Sequence, residues 1–205
     1  MKVLLVNGSP NKAGCTYTAL KEIADQLKTH GIESEFFHLG SAPVAGCIAC
    51  HACDDGNPCV LSDDVYQRFI SAAKEVDGYI FGSPVYYASI NASLGCLLDR
   101  VFFSQGTIFQ HKPTAGIVSS RRGGSGSAFD RLNKYFSYAR MSVISSQYWN
   151  IAHGAAPGEV REDKEGLQIM RTLARNMAWS IRNTRLAGQA APIIETPRER
   201  TNFVR

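Results

Sequence analysis

Short apolar runs alternate along the chain with stretches whose apolar residues recur every three or four positions. Residues 2–6, Lys-Val-Leu-Leu-Val, form the first run, continuous enough for a strand covered on both faces. Leu20, Ile23, Ala24 and Leu27 then fall on one helical face, which Gly31 ends. The same alternation predicts a second strand over 34–39 and a helix opened by Ser62-Asp63-Asp64 that carries Val65, Phe69, Ala73 and Val76. A third strand over 78–81 stops at Gly82-Ser83-Pro84 and precedes a helix with Ile90, Leu94, Leu97, Leu98 and Val101 in a stripe. A fourth strand over 114–118, a helix near 126–140 and a fifth strand near 142–147 follow. The stretch 149–164 reads as irregular, and a last helix carries Leu167, Met170, Leu173, Met177 and Ile181. Strands alternating with helices in this way predict an α/β domain with a doubly wound, five-stranded parallel sheet and helices on both faces. We read residues 1–189 as that one domain and 190–205, with two prolines and no period, as a C-terminal extension.

Composition narrows the partners. The 205 residues hold 22 basic and 18 acidic side chains, a net charge of +4. That excess is too small and scattered to make nucleic acid the main partner. The opening apolar run is too short for a secretory signal or a membrane span, so a cytoplasmic protein that does not enter the membrane is expected. Cytosolic thiols stay reduced, and four of the six cysteines crowd into residues 47–59, a spacing that suits a metal or redox site better than disulfides.

In a doubly wound sheet, ligands bind beyond the carboxyl ends of the strands. Three loops meet there: 8–16, 82–90 and 119–126. The first, Gly8-Ser9-Pro10-Asn11-Lys12-Ala13-Gly14-Cys15-Thr16, offers glycines, hydroxyls, one lysine and the start of a helix, which together suit a phosphate. It fits neither G-x4-G-K-[ST] nor G-x-G-x-x-G, which disfavours triphosphate hydrolysis and a dinucleotide at this turn. No cysteine has an arginine six positions on, so a C-x5-R phosphatase loop is also absent. A monophosphate-binding turn or a plain capped turn remains. The second loop carries Tyr86 and Tyr87 after Pro84, suited to cover a flat ring or simply to join the core. The third carries Arg121-Arg122-Gly123-Gly124, suited to stabilise an anionic ring edge or to sit in solvent.

Gly8-Ser9-Pro10…Thr16, the cysteine block, Asp63-Asp64, Ser83-Pro84-Val85-Tyr86, Leu98-Asp99-Arg100 and the 121–124 loop together resemble the NAD(P)H-dependent FMN reductase family, and within it the iron–sulfur flavoproteins. The resemblance spans roughly residues 1–185 and implies a flavodoxin-like fold with strand order 2-1-3-4-5. It implies FMN, with its phosphate at Ser9, Asn11, Cys15 and Thr16 and its ring against Pro84, Val85, Tyr86, Tyr87, Ala88 and Ser89 on one side. Ser119, Ser120, Arg121, Gly123 and Gly124 would border the ring on another. It also implies a homodimer or homotetramer with flavin sites near subunit contacts. Relatives often carry arginine where this chain has Asn11, so phosphate charge would fall to Lys12 or backbone dipoles and FMN would bind more weakly.

Cys47-x2-Cys50-x2-Cys53-x5-Cys59 matches the compact runs that wrap a four-iron four-sulfur cluster; a loop of reduced thiols at the rim of the site is the equal alternative. The two well-separated knuckles of structural zinc are missing. His51 reads as a bystander, and Cys15 and Cys96 as ordinary thiols. The expected chemistry is transfer of hydride from NAD(P)H, a transient co-substrate, to FMN and onward to a small-molecule acceptor: a quinone, nitro or azo compound, flavin or oxygen. No side chain is assigned a catalytic role. The rival expectation is an electron carrier between protein partners such as ferredoxin, which a cluster would favour. A zinc-binding cysteine module without redox activity ranks last, since it leaves the tyrosine and arginine loops unexplained.

Overall fold

The computed structural model describes residues 1–188, together with Pro192 and Thr201. The rest of the expected extension at 190–205 lies outside the described residues. The strands are β1 (Lys2–Asn7), β2 (Glu33–His38), β3 (Gly78–Tyr86), β4 (Ser89–Ile90), β5 (Pro113–Ser120), β6 (Ser142–Val143) and β7 (Ile151–His153). The helices are α1 (Cys15–Thr29), α2 (Asp64–Lys74), α3 (Ala92–Gln105), α4 (Ser125–Tyr138), α5 (Pro157–Glu162) and α6 (Lys164–Ala187). The main sheet runs β2-β1-β3-β5-β6, all parallel, which is the doubly wound order.

Successive residues of β1 face opposite layers, as the period of a strand requires. Leu4 and Val6 pack with Phe69, Leu97 and Phe136 on one face, beneath α2, α3 and α4. Val3 and Leu5 pack with Leu20, Ile23 and Met177 on the other, beneath α1 and α6. Helices on both faces explain why the strands read as apolar runs rather than alternating ones. Among the described residues, no helix is long and apolar enough to cross a membrane.

Three departures from the sequence reading bear on the site. First, β3 does not stop at Phe81 but continues through Pro84 to Tyr86, then turns back as the antiparallel β4. β1 ends against Gly82, so beyond that point one flank of β3 is open, where a proline without an N–H is tolerated. Second, the expected strand over 142–147 shrinks to β6, and the supposedly irregular stretch after Trp149 supplies β7, so two short strands share the flank of the fully buried β5. Asn150 bridges the gap between them: its side-chain Nδ2 donates to Gly116 O at 3.0 Å and its backbone carbonyl accepts from Val118 N–H at 3.0 Å. Third, 157–162 is helical, with Pro157 in the first turn.

Candidate functional site

The loop after β1 folds on its own polar side chains. Buried Asn7 accepts from Ser9 N–H at 3.1 Å, Ser9 Oγ accepts from Asn11 N–H at 3.1 Å, and Asn11 Oδ1 accepts from Ala13 N–H at 3.2 Å. The loop delivers the chain to Gly14, the N-cap of α1, which offers no capping side chain. Among the described residues, the backbone N–H groups of Lys12, Cys15, Thr16 and Tyr17 find no protein acceptor. Unclaimed donors at the positive end of a 15-residue helix fit a phosphoryl group in both hydrogen bonding and charge. Lys12 is exposed beside them.

The three expected loops come together. Gly8 N–H donates to Gly82 O at 2.8 Å, Asn91 Nδ2 donates to Gly8 O at 2.7 Å, and Asn91 N–H donates to Ser83 Oγ at 2.9 Å. Thr16 and Ser119 share a hydroxyl–hydroxyl bond of 2.8 Å, tying the first loop to the third. A Cβ on Gly124 would stand 2.8 Å from Ala88 Cα, so only glycine lets the second and third loops meet there; its φ of +85° adds the same demand. Ser9, Thr16, Ser119 and Ser120 are buried, Cys15, Pro84, Val85 and Gly124 half-buried. Asn11, Lys12, Tyr86, Ala88, Ser89, Arg121 and Gly123 are exposed. Tyr87 and Ala88 occupy the β3–β4 turn with φ of 48° and 58°, a mirror-image hairpin turn that ordinarily takes Asn-Gly. Tyr87 is thereby held wholly in solvent, 105 % exposed, beside the loop edge. Strain of this kind is kept where the surroundings dictate it, commonly at ligand clamps.

The cysteine block lies farther along α3. Cys47, Cys50, Cys53 and Cys59 all line one small pocket, with Arg100 and Phe103 of α3 completing its wall. Ala49 and His51 alternate with the cysteines and take φ of 50° and 57°, so the loop coils tightly. Burial is the main force raising the Cys53 thiol pKa; its own backbone hydrogen bond opposes this, and Cys59, Asp54 and Cys47 nearby add to it. Among the described residues, no three His, Cys, Asp or Glu side chains stand close enough to hold one metal ion. A zinc ion would need four thiolates at about 2.3 Å from one centre. In kind, four thiols sharing one pocket are the donor set a four-iron four-sulfur cluster takes.

Comparison with known proteins agrees with this geometry. Residues 1–156 match the family described as NADPH-dependent FMN reductase. The chain is similar to an iron–sulfur flavoprotein of Methanocaldococcus jannaschii, 31% identical over 186 residues that cover 87% of this chain and 96% of the relative. It also resembles an NADPH azoreductase of a Bacillus species, 25% identical over 82% of this chain and 86% of that one. Among solved structures, a flavoenzyme NAD(P)H:acceptor oxidoreductase of Paracoccus denitrificans superposes with a TM-score of 0.66, covering 89% of this chain and 97% of that one at 18% identity. The chain belongs to the NADPH-dependent FMN reductase family. It is an FMN-dependent oxidoreductase of the NAD(P)H type on a flavodoxin-like fold.

Within this family member, the structure adds residues the sequence reading passed over. Asn7 and Asn91 are buried polar groups that build the flavodoxin-like edge; the first ends an apolar run and the second caps α3 by accepting from Ser93 N–H at 3.2 Å. An N-cap asparagine directly before a helical stripe was the available signal. A fourth loop, 153–156, joins the edge. Its Gly154 carbonyl accepts from Cys15 Sγ at 3.6 Å, and His153 Nδ1 lies 3.4 Å from Ser120 Oγ. Burial raises the Cys15 thiol pKa, its own backbone hydrogen bond opposing this and Glu159 adding to it. Nothing in the pattern of 149–164 announced this loop.

Proposed function

We propose that this chain binds FMN at the carboxyl edge of the sheet, takes hydride from NAD(P)H as a transient co-substrate, and delivers the electrons to a small-molecule acceptor: a quinone, nitro or azo compound, free flavin or oxygen. The observation that carries the reading is the uncapped start of α1, its free N–H groups set between Ser9 and the Thr16–Ser119 pair. In this reading Ser9, Asn11, Lys12, Cys15 and Thr16 surround the phosphate. Pro84, Val85, Tyr86, Tyr87, Ala88 and Ser89 border the ring, with Ser119, Ser120, Arg121, Gly123 and Gly124 across from them. Bound FMN would supply the ability to accept two electrons together and release them singly or in pairs. Arg121 would steady negative charge on the pyrimidine edge, and the hairpin turn would present Tyr87 for stacking. Residues 1–189 act as one FMN-binding unit, assembled as a homodimer or homotetramer.

A second reading adds a four-iron four-sulfur cluster held by Cys47, Cys50, Cys53 and Cys59, and with it service as an electron carrier to a redox protein such as ferredoxin. The shared pocket of four thiols and the name of the Methanocaldococcus relative support it. Absorption spectra of anaerobically purified protein, with iron and sulfide analysis and NADH and NADPH oxidation assays, separate the readings. Thr16→Val should raise the FMN dissociation constant about 10- to 100-fold, the value of one charge-assisted hydrogen bond. Colourless protein without affinity for FMN would end the first reading.

A further inference from the structure

We infer that Arg100 is the built-in counter-charge of the cysteine pocket, the cation that faces an iron–sulfur cluster there and holds its reduction potential up. The inference rests on the cluster reading above.

Arg100 is mid-helix in α3 and 1 % exposed, an unusual fate for a guanidinium. A buried charge must be paired and its N–H groups satisfied. Only part of that requirement is met. Nη1 donates to Asp63 Oδ2 at 2.8 Å and to Ala45 O at 3.3 Å, and the guanidinium carbon stands 5.2 Å from the centre of the Tyr66 ring. Among the described residues, Nε and Nη2 have no partner. The Asp63 side chain is 41 % exposed, so water screens much of the one carboxylate available.

The same arginine lines the pocket of the four cysteines. Among the described residues it is the one permanently charged side chain in that wall; His51, also there, pairs with Asp54 at 3.3 Å and is exposed. Burial works against the arginine's charge, whereas the hydrogen bond and charge of Asp63, with the Cys59 thiol nearby, favour it and prevail. What Arg100 lacks is a second anion on the pocket side. A four-iron core ligated by four thiolates is such an anion, and reduction adds one more negative charge to it. Net charge and hydrogen bonds to the sulfurs are established levers on cluster potential.

Arg100 also grips the loop before the first cysteine, at Ala45, and after the last, at Asp63. A test must separate charge from scaffolding, and the two substitutions Arg100→Gln and Asp63→Asn do so. The first removes the cation. The second removes the anion that partly neutralises it, yet Asn still serves as the N-cap of α2, where Asp63 accepts from Tyr66 N–H at 3.0 Å. Full-length FMN-loaded protein with reconstituted cluster would be titrated anaerobically and followed by electron paramagnetic resonance. Arg100→Gln should lower the midpoint by the equivalent of about a tenfold change in the reduced-to-oxidised ratio, about 59 mV for one electron. Asp63→Asn should raise the midpoint by a smaller amount. A scaffold role would shift both variants the same way or neither, and either result overturns the inference. Should Arg100→Gln lose its circular dichroism or its FMN, the sign for Asp63→Asn decides: a rise supports the inference, no rise overturns it. Wild-type protein that retains no iron and sulfide defeats the cluster reading and this inference together; four irons with unmoved potentials defeat only the inference.

Discussion

The carboxyl edge of the sheet and the cysteine loop are fastened by different parts of the chain. At the edge, strand ends and short polar side chains bond to one another: Gly8 to Gly82, Asn91 to Gly8 and Ser83, Thr16 to Ser119. The cysteine loop is held by longer side chains reaching out from α2 and α3. Arg100 bonds Ala45 O, the Tyr66 hydroxyl accepts from Cys59 N–H at 3.3 Å, and Gln105 donates to Gly56 O and Asn57 O at 3.3 and 3.4 Å. The first region inherits its precision from sheet register and belongs to the cooperative core. The second depends on helix side chains rather than on sheet register.

The same substitution in each region should expose this difference most strongly. A Cβ on Gly8 would stand 2.5 Å from Leu94 Cδ2 and 2.9 Å from Gly82 O, and backbone cannot move aside cheaply. Gly8→Ala should therefore cost roughly 2–4 kcal/mol of unfolding free energy, toward the upper end for overpacking. A Cβ on Gly46 would meet only Cys96 Sγ, at an ordinary 3.6 Å. Gly46→Ala should stay within about 0.5 kcal/mol. Urea unfolding of the two variants gives the comparison; equal losses would mean the cysteine loop is as much a part of the core as the edge.

How legible each region was follows from the same contrast. The convergence of the loops at 8–16, 82–90 and 119–126 and the helix stripes come from local periodicity and one topological rule, so the sequence carried them, while the sheet order came with the family resemblance. Asn7 and Asn91 escaped because their role is to bond backbone groups far along the chain, Asn91 reaching Gly8 across 83 positions. β7 escaped because Ile151–His153 has three residues and no alternation; what makes it a strand is the unfilled flank of β5. The four cysteines were legible as a block by spacing, but Arg100 was visible only as part of Leu98-Asp99-Arg100. Its burial against the pocket depends on how α3 meets the loop.

A smaller effect should come from backbone strain at the tip of the edge. Tyr87 and Ala88 hold left-handed conformations that Asn-Gly adopts more readily. The double change Tyr87→Asn, Ala88→Gly should raise unfolding free energy by about 1–2 kcal/mol. It should also weaken FMN binding by roughly 3- to 10-fold through lost aromatic contact. Greater stability with unchanged affinity would detach Tyr87 from the flavin. The matching change Ala49→Gly in the cysteine loop relieves a φ of 50°, and if that loop opens apart from the sheet it should barely move global unfolding.

The smallest expected effect is on acid sensitivity, and it again belongs to the edge. His38 ends β2 beside the 8–16 loop, with Nδ1 3.1 Å from Asn7 Nδ2 and its ring stacked on Phe36 at 5.9 Å between centres. Burial, then the nearby charge of Lys12, lowers its pKa below the ordinary 6.5. The unfolded chain therefore binds more protons than the folded one near that value. The stabilising contribution of neutral His38 is complete above about pH 6.5 and is lost as the pH falls through the lower folded value. Because His38 is only half-buried, the loss should amount to a few tenths of a kcal/mol between pH 7 and 5. His38→Gln can still accept from Asn7 and cannot titrate, so its unfolding midpoint should fall less steeply with acid over that range. Proton uptake at His38 would put positive charge beside Lys12, where a bound phosphate would offset it, so saturating FMN should shrink the difference between wild type and variant. Parallel acid profiles for the two proteins, with and without FMN, would show that His38 does not report on the 8–16 loop.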